Sequence, residues 1–144
     1  MLMAASQGMA QTFQNISSID WKFMKGDDPK YKIPTCDDSQ WGSVEIPHDW
    51  SILTATAQDY PMGGEGGYHE AGTGWYRAKL NIPASLKGKL MYLYCEGIYM
   101  NSEIYVNGRY AGGHKYGYSS FFVNLRGIGM AGKENVRSEQ LLLI

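Results

Sequence analysis

The chain has 144 residues, which fits a single domain large enough to bury a core without metal or disulfide staples. Its 13 basic and 14 acidic side chains give a formal net charge of −1, without a basic stripe, so composition argues against nucleic-acid binding. No stretch reaches the roughly 18 apolar residues of a membrane-spanning helix, and the 18 glycines and 11 tyrosines favour an all-β domain rich in turns.

The N-terminal segment, residues 1–17, is interpreted as a leader. Gly8-Met9-Ala10 has the small-x-small character of a signal-peptidase site, although neither a basic region nor a full apolar core precedes it. We expect the segment to be the remnant of an export signal or a disordered leader. Its parent protein is accordingly expected in the periplasm or at the cell surface.

The first predicted strand lies within residues 18–28, where Ile19, Trp21 and Phe23 share one face at period two. Residues 26–40 read as an acidic loop. A short strand around Val44 and Ile46 follows, and Pro47 ends its ladder pairing.

Residues 53–74 form a long connection rich in glycine, without an apolar period. Structureless loops longer than about 12–15 residues inside compact domains are usually functional or disordered. We therefore expect binding chemistry to concentrate here, and Tyr68 to be an exposed aromatic side chain.

The second half of the chain is dense in strand patterns. Residues 74–83 alternate, with Tyr76, Ala78, Leu80 and Ile82 predicted inward and Arg77, Lys79 and Asn81 predicted outward. Residues 90–100 are apolar on both faces, which predicts a central strand covered on two sides.

Residues 102–114 place Ile104 and Val106 inward, and Asn107-Gly108 predicts a type I′ hairpin turn. Another strand is predicted over residues 118–125. Short strands at regular spacing between turn signals predict an all-β antiparallel sandwich, of jelly-roll or galactose-binding-domain-like form.

Catalytic and metal motifs are weak. The sequence has no nucleophile elbow, zinc-protease helix motif or phosphate-binding loop, and its tandem acidic pairs lie in polar loops. The three histidines are far apart in sequence, so neither a metal site nor a cofactor is predicted.

Cys36 and Cys95 have no CxxC spacing; a disulfide is possible, but a buried thiol at Cys95 is the simpler interpretation.

Sugar binding has more support, because tyrosine and tryptophan faces suit the C–H faces of pyranose rings. The segments "IPHDW" and "GGYHEAGTGWYR" combine such aromatics with polar side chains. Trp50, Trp75 and Tyr76 fit core or edge packing equally well, so both interpretations stay open.

An ordered series of motifs carries a family resemblance over residues 18–136. The segments are "DWKF" (20–23), "VEIPHDWSI" (44–52), "GTGWYR" (72–77), "CEGIYMNSEIYVNGRYAGGHKYGYSSF" (95–121) and "GKENV" (132–136). In this order they resemble the N-terminal domain of family 2 glycoside hydrolases, of the β-galactosidase type found in gut Bacteroidetes.

The resemblance implies a jelly-roll domain, often called sugar-binding, that packs against an immunoglobulin-like domain and a barrel. The barrel would carry both glutamates of a retaining mechanism, so no catalytic residue is expected in this chain. Loops of the jelly roll would help to shape the substrate rim. By position, the rim candidates here are Asp49, Asp59, Tyr68, His69 and Glu70.

Residues 137–144, "RSEQLLLI", depart from the family pattern, because the polar run Arg137–Gln140 interrupts the expected apolar alternation. We interpret them as an atypical, truncated tail in which the last strand is replaced and the apolar end pairs with a neighbouring molecule.

Three functions remain after these steps. The first is a non-catalytic domain of a β-galactosidase-like hydrolase, inactive alone. The second is a free-standing module that binds galactosides or plant oligosaccharides. The third is a structural domain with an exposed apolar face that self-associates.

Overall fold

A computed structural model describes residues 2–5, 12–53, 72–128 and 134–143, with side chains for residues 14–52 and 72–128. The described residues form ten strands: β1 Leu2–Ala5, β2 Thr12–Gln14, β3 Trp21–Lys25, β4 Gly42–Val44, β5 Gly72–Asn81, β6 Leu90–Cys95, β7 Ser102–Val106, β8 Arg109–His114, β9 Phe121–Asn124 and β10 Glu134–Leu143. Short 3₁₀ turns lie at Pro29–Lys32, Ser51–Leu53 and Ala84–Leu86.

The strands make two antiparallel sheets. One has the order β2-β1-β6-β9 and the other the order β4-β3-β5-β10-β7-β8. The inward faces of both sheets supply one buried cluster, which includes Trp21, Tyr76, Leu93 and Ile104. The prediction of an all-β antiparallel sandwich is therefore confirmed.

Local patterns correctly identified most of the inward faces. Trp21 is buried and Phe23 packs against the core, as the period-two pattern predicts. Ile104 and Val106 are also buried. Asn107 and Gly108 have φ angles of 52° and 77°, which confirms the predicted turn with two positive φ angles between β7 and β8.

The outward face of β5 differs from its prediction. Lys79 and Asn81 are exposed as predicted, but Arg77 is only 2% exposed. Carbonyl oxygens of the segment 31–36 accept hydrogen bonds from its guanidinium, so this segment covers the strand. The prediction of a solvent-facing Arg77 is wrong, because a loop distant in sequence lies over it.

The strand β6 is covered on one face, not on two. Met91, Leu93 and Cys95 are buried, whereas Leu90 is 42% exposed. On the neighbouring strand β9, Phe122 is 56% exposed and its ring lies 4.8 Å from that of Tyr94. The outer face of this sheet therefore carries apolar groups in contact with solvent.

The N-terminal segment forms strands where a disordered leader was one expectation. The backbone of β1 pairs with β6 on one side and with β2 on the other. This pairing satisfies the N–H and C=O groups along one edge of β6. Residues 6–11, with the small-x-small motif, lie outside the described residues.

The C-terminal segment also forms a strand. β10 lies between β5 and β7 in the six-stranded sheet, with Arg137 opposite both Ala78 and Val106. The expectation that Arg137–Gln140 would interrupt this strand is wrong, because backbone pairing with β5 and β7 satisfies both edges of these residues whatever the side-chain alternation. Leu141–Leu143 pair with β5 of the same chain, and the pairing of the tail with a neighbouring molecule stays a prediction.

Cys36 and Cys95 are both thiols, and Cys95 is buried as the simpler interpretation predicted. In the part of the chain that the structure describes, no helix has the length and apolarity needed to cross a membrane.

A candidate functional site at one end of the sandwich

Strand register brings several chemistry-bearing loops to one end of the sandwich. Gly74 at the start of β5 pairs with Lys25 at the end of β3. At the same end, β10 pairs with the beginnings of both β5 and β7, and Ser102 of β7 pairs with His114 of β8. We call this the loop end. The segment 96–101, the segment 115–120 and the approach to β5 all belong to it.

The segment Pro47–Trp50 packs against the inner side of the six-stranded sheet near the loop end. It follows a cis Ile46-Pro47 peptide bond. His48 Nδ1 lies 2.7 Å from the Tyr76 hydroxyl. The ring of Phe23 contacts both partners, with centroid distances of 5.2 Å to His48 and 4.9 Å to Tyr76.

Burial makes the His48–Tyr76 pair neutral near pH 7. Desolvation lowers the pKa of His48, against an opposing effect of the nearby Asp49 carboxylate. Desolvation also raises the pKa of Tyr76, which is 1% exposed. Since a neutral imidazole has one accepting nitrogen, the Tyr76 hydroxyl can donate to it. This arrangement fixes the segment on β5.

Trp50 completes the packing on the inner side. It is 3% exposed, its ring stacks against Phe23 at 6.3 Å, and Lys25 Nζ lies 4.8 Å from its ring centroid. Trp75 and Tyr76 are buried to a similar degree. Of the two interpretations left open for these three aromatics, packing is the one that the structure confirms. Trp50 and Tyr76 belong to the core, and Trp75 is buried on the outer face of β5 against Tyr31 and Tyr105.

Asp49 belongs to this packed segment, but its side chain is exposed. Its Oδ1 accepts hydrogen bonds from the Ser51 backbone N–H at 2.9 Å and from the Ser51 hydroxyl at 2.6 Å. These bonds fix the carboxylate at the start of the 3₁₀ turn Ser51–Leu53. A carboxylate held in this way can accept a hydrogen bond from a ligand hydroxyl.

The other predicted rim residues, Asp59, Tyr68, His69 and Glu70, lie outside the described residues. The connection that contains them leaves the described chain after Leu53 and re-enters it at Gly72, the first residue of β5. Among the described residues, no group of three or more His, Cys, Asp or Glu side chains has a metal-binding arrangement.

A feature of the loop end that sequence reasoning missed is a group of three tyrosines, which we call the tyrosine cluster: Tyr99, Tyr116 and Tyr118. Tyr118 is 73% exposed and Tyr116 is 60% exposed. The Tyr118 ring is central, with centroids 5.7 Å from Tyr99 and 5.8 Å from Tyr116, and both contacts are edge-to-face.

Backbone packing holds the two loops of the tyrosine cluster together. The Asn101 N–H donates to the Lys115 carbonyl at 3.2 Å. A side chain at Gly117 would meet the Met100 backbone nitrogen and the Tyr99 ring, each at 2.9 Å, so glycine permits this close approach. His114 Nε2 lies 2.9 Å from the Ser119 hydroxyl at the base of the second loop.

The cluster was missed because the strand over residues 118–125 was predicted to begin at Tyr118. β9 begins instead at Phe121, so Tyr118 lies in a loop. The predicted hairpin of β7 and β8 contained a usable signal. The loop before β7 and the loop after β8 must lie at the same end of this hairpin, which brings Tyr99 close to Tyr116 and Tyr118.

Comparison with known proteins shows which proteins this sandwich resembles. A β-galactosidase of Bacteroides ovatus is 38% identical over 106 residues, which cover 74% of this chain and 12% of that protein. A family 2 glycosyl hydrolase from Bacteroides cellulosilyticus superposes with a TM-score of 0.82 at 36% identity, covering 90% of this chain and 17% of that one. The chain is an N-terminal domain of the family 2 glycoside hydrolase type.

The family 2 domain also matches the β-glucuronidase of Bacteroides uniformis, with a TM-score of 0.76 and 30% identity over 88% of this chain and 14% of that protein. No family model matches the sequence. The chain spans about an eighth of the length of the curated relatives it matches, since it covers 12% of the first two.

Proposed function

We propose that the chain is a non-catalytic domain of a β-galactosidase-like or β-glucuronidase-like hydrolase, and that its loop end forms part of the substrate rim. The observation that carries this proposal is the convergence at the loop end. The fixed Asp49 carboxylate, the exit and re-entry of the connection 54–71, and the tyrosine cluster all lie there. The catalytic glutamates belong to the remainder of the longer protein.

The domain would support the remainder of that protein through the outer face of the four-stranded sheet. Leu90 and Phe122 are 42% and 56% exposed on this face, where Tyr94 contacts Phe122 and Tyr92 is partly buried between Leu90 and Tyr94. Apolar groups that are exposed side by side commonly mark an interface. Because the matched relatives are about eight times longer than the aligned segment, the proposed occupant is the rest of the same polypeptide.

A domain exchange tests the proposal. The matching segment of the Bacteroides ovatus β-galactosidase is replaced by residues 1–144, and nitrophenyl β-galactoside hydrolysis is compared with that of the parent and of a deletion lacking the segment. We expect the chimera to be active, the deletion to be inactive and the isolated chain to be inactive. Turnover by the pure 144-residue chain, or a deletion as active as the parent, would contradict the proposal.

The role of Asp49 is tested in the same chimera. Asp49→Asn keeps the size of the side chain but weakens acceptance of hydrogen bonds, so we expect a higher KM with little change in kcat. Asp37→Asn is the matched control, because Asp37 is also exposed and also caps a turn, through the Ser39 N–H at 2.9 Å. Equal effects of the two variants would contradict a rim role for Asp49.

A further inference from the structure

The tyrosine cluster joins three aromatic rings in contact at the loop end, two of them largely exposed. In folded domains the tyrosine ring is usually largely buried, as it is in Tyr76. Tyr116 and Tyr118 instead expose more than half of their surface while they contact each other. Isolated exposed aromatics need no explanation, but a contiguous group of them points to a partner.

The cluster is also pre-organised. Edge-to-face contacts with Tyr99 and Tyr116 restrict the Tyr118 ring. The backbone contacts of Gly117 and Asn101 hold the supporting loops. A fixed aromatic surface loses little conformational entropy when a ligand binds, which favours affinity.

Ring orientation selects the shape of the ligand. The planes of Tyr99 and Tyr118 lie at 85°, and those of Tyr116 and Tyr118 at 65°. Steeply inclined rings cannot present one flat platform to an extended crystalline surface. Inclined rings instead present separate faces and edges, and their phenol groups can donate and accept hydrogen bonds.

We propose that the tyrosine cluster binds one or two pyranose units of a soluble β-linked oligosaccharide, by stacking of C–H faces and hydrogen bonds to hydroxyls. The choice of a glycoside rests on the proposed function, whereas the site itself rests on the exposure and geometry of the three rings. The cluster and the Asp49 rim lie at the same end of the sandwich.

The test uses the 144-residue chain and titration calorimetry with β-1,4-galactotetraose and cellotetraose, with the α-linked maltotetraose as a specificity control. We expect saturable binding of at least one β-linked oligosaccharide. Tyr118→Ala should weaken it about tenfold or more, the loss typical when an aromatic anchor is removed. Tyr118→Phe keeps the stacking ring and should weaken it less.

Tyr110→Ala is the matched control. Tyr110 is 58% exposed and contacts another tyrosine, Tyr105, at 5.6 Å, but it follows the hairpin turn at the opposite end of β8. Affinity unchanged in Tyr110→Ala supports the assignment, with folding of each variant checked by circular dichroism. No binding by the folded wild-type chain, or equal loss in Tyr110→Ala and Tyr118→Ala, would overturn it.

Sedimentation of the same samples separates a sugar site from a protein-docking site. If the wild-type chain self-associates without binding sugar, and Tyr118→Ala restores the monomer, the cluster is a protein interface and the proposal is wrong. A failed titration leaves the domain-exchange result unaffected, so the rim function and the tyrosine site can fail independently.

Discussion

The outer faces of β5 and β6 reverse what their sequences suggest. The β5 pattern predicts a solvent-facing arginine, yet Arg77 is 2% exposed. The β6 pattern predicts cover on both faces, yet Leu90 remains 42% exposed and Tyr92 is only partly buried. Whether an outward face is buried thus depends on the segment that covers it, more than on the polarity of the strand.

The segment that covers β5 is bonded to the sheet by two basic side chains, Arg77 of β5 and Lys22 of β3, whose Nζ lies 2.6 Å from Asp38 Oδ1. Arg77 Nη1 donates to the Cys36 carbonyl at 2.9 Å, and Nη2 donates to the carbonyls of Tyr31 and Ile33 at 2.6 and 2.9 Å. The guanidinium also lies 4.9 Å from the Trp41 ring centroid. The guanidinium can be buried here because backbone carbonyls accept from Nη1 and Nη2 and the Asp38 carboxylate lies 3.7 Å from Nη1, although Nε has no hydrogen-bond partner among the described residues. No comparable arginine emerges from β6.

Removal of this arginine is expected to give the largest effect. Arg77→Met keeps an unbranched apolar stem but removes the donor to the Tyr31 and Cys36 carbonyls, whereas the Ile33 carbonyl keeps the Cys36 N–H at 3.0 Å. We expect a loss of about 3–5 kcal/mol in the free energy of unfolding, measured by urea denaturation. Lys79→Met, on the same face of the same strand but exposed, should cost about 0.5 kcal/mol or less. Equal losses would mean that the segment 31–36 does not depend on Arg77.

Two leucines of β6 test the other half of the comparison. Leu93 is 1% exposed and Leu90 is 42% exposed. Leu93→Ala should destabilise the domain by about 2–5 kcal/mol, because it opens a cavity in the core. Leu90→Ala should cost less than about 1 kcal/mol in the isolated chain. A large loss for Leu90→Ala would show that the outer face of β6 is covered in solution.

Local sequence patterns predicted most of the strands and their inward faces, but they did not predict which loop segments lie over the outward faces. Period-two alternation identified the buried residues Trp21, Tyr76 and Ile104, and Asn-Gly identified the hairpin turn. These signals depend on neighbours in sequence. The burial of Arg77 depends on a segment more than forty residues away, which periodicity cannot reveal.

The candidate site shows the same division. Asp49 was identified through a family pattern, and its capping bonds to Ser51 are local. The tyrosine cluster requires the pairing of β7 with β8 and the start of β9, so the identities of its residues alone could not specify it.

The inner side of β5 offers a further test of close packing. A Cβ atom at Gly74 would lie 2.7 Å from Phe23 Cε2 and 2.9 Å from Trp50 Nε1. Gly74→Ala should therefore destabilise the domain by about 1–3 kcal/mol, the range typical of overpacking. In Gly42→Ala the new methyl group meets only the Phe23 carbonyl oxygen, at 3.9 Å, and should cost much less. Thermal unfolding followed by circular dichroism compares the two variants.

The smallest expected effect is a pH dependence carried by His48, which extends the comparison to a polar group on the inner side of β5. Burial lowers the folded-state pKa of His48, so the unfolded chain binds more protons just below the ordinary pKa of about 6.5. Stability from this group is complete above that pKa and falls as the pH decreases towards the folded-state pKa.

His48→Gln can still accept a hydrogen bond from Tyr76 but does not titrate. We expect the wild type to lose more stability than His48→Gln between pH 7.5 and pH 5.5 in parallel urea titrations. Identical losses would mean that the imidazole titrates in the folded domain as it does in the unfolded chain, and that its contact with Tyr76 does not depend on the neutral ring.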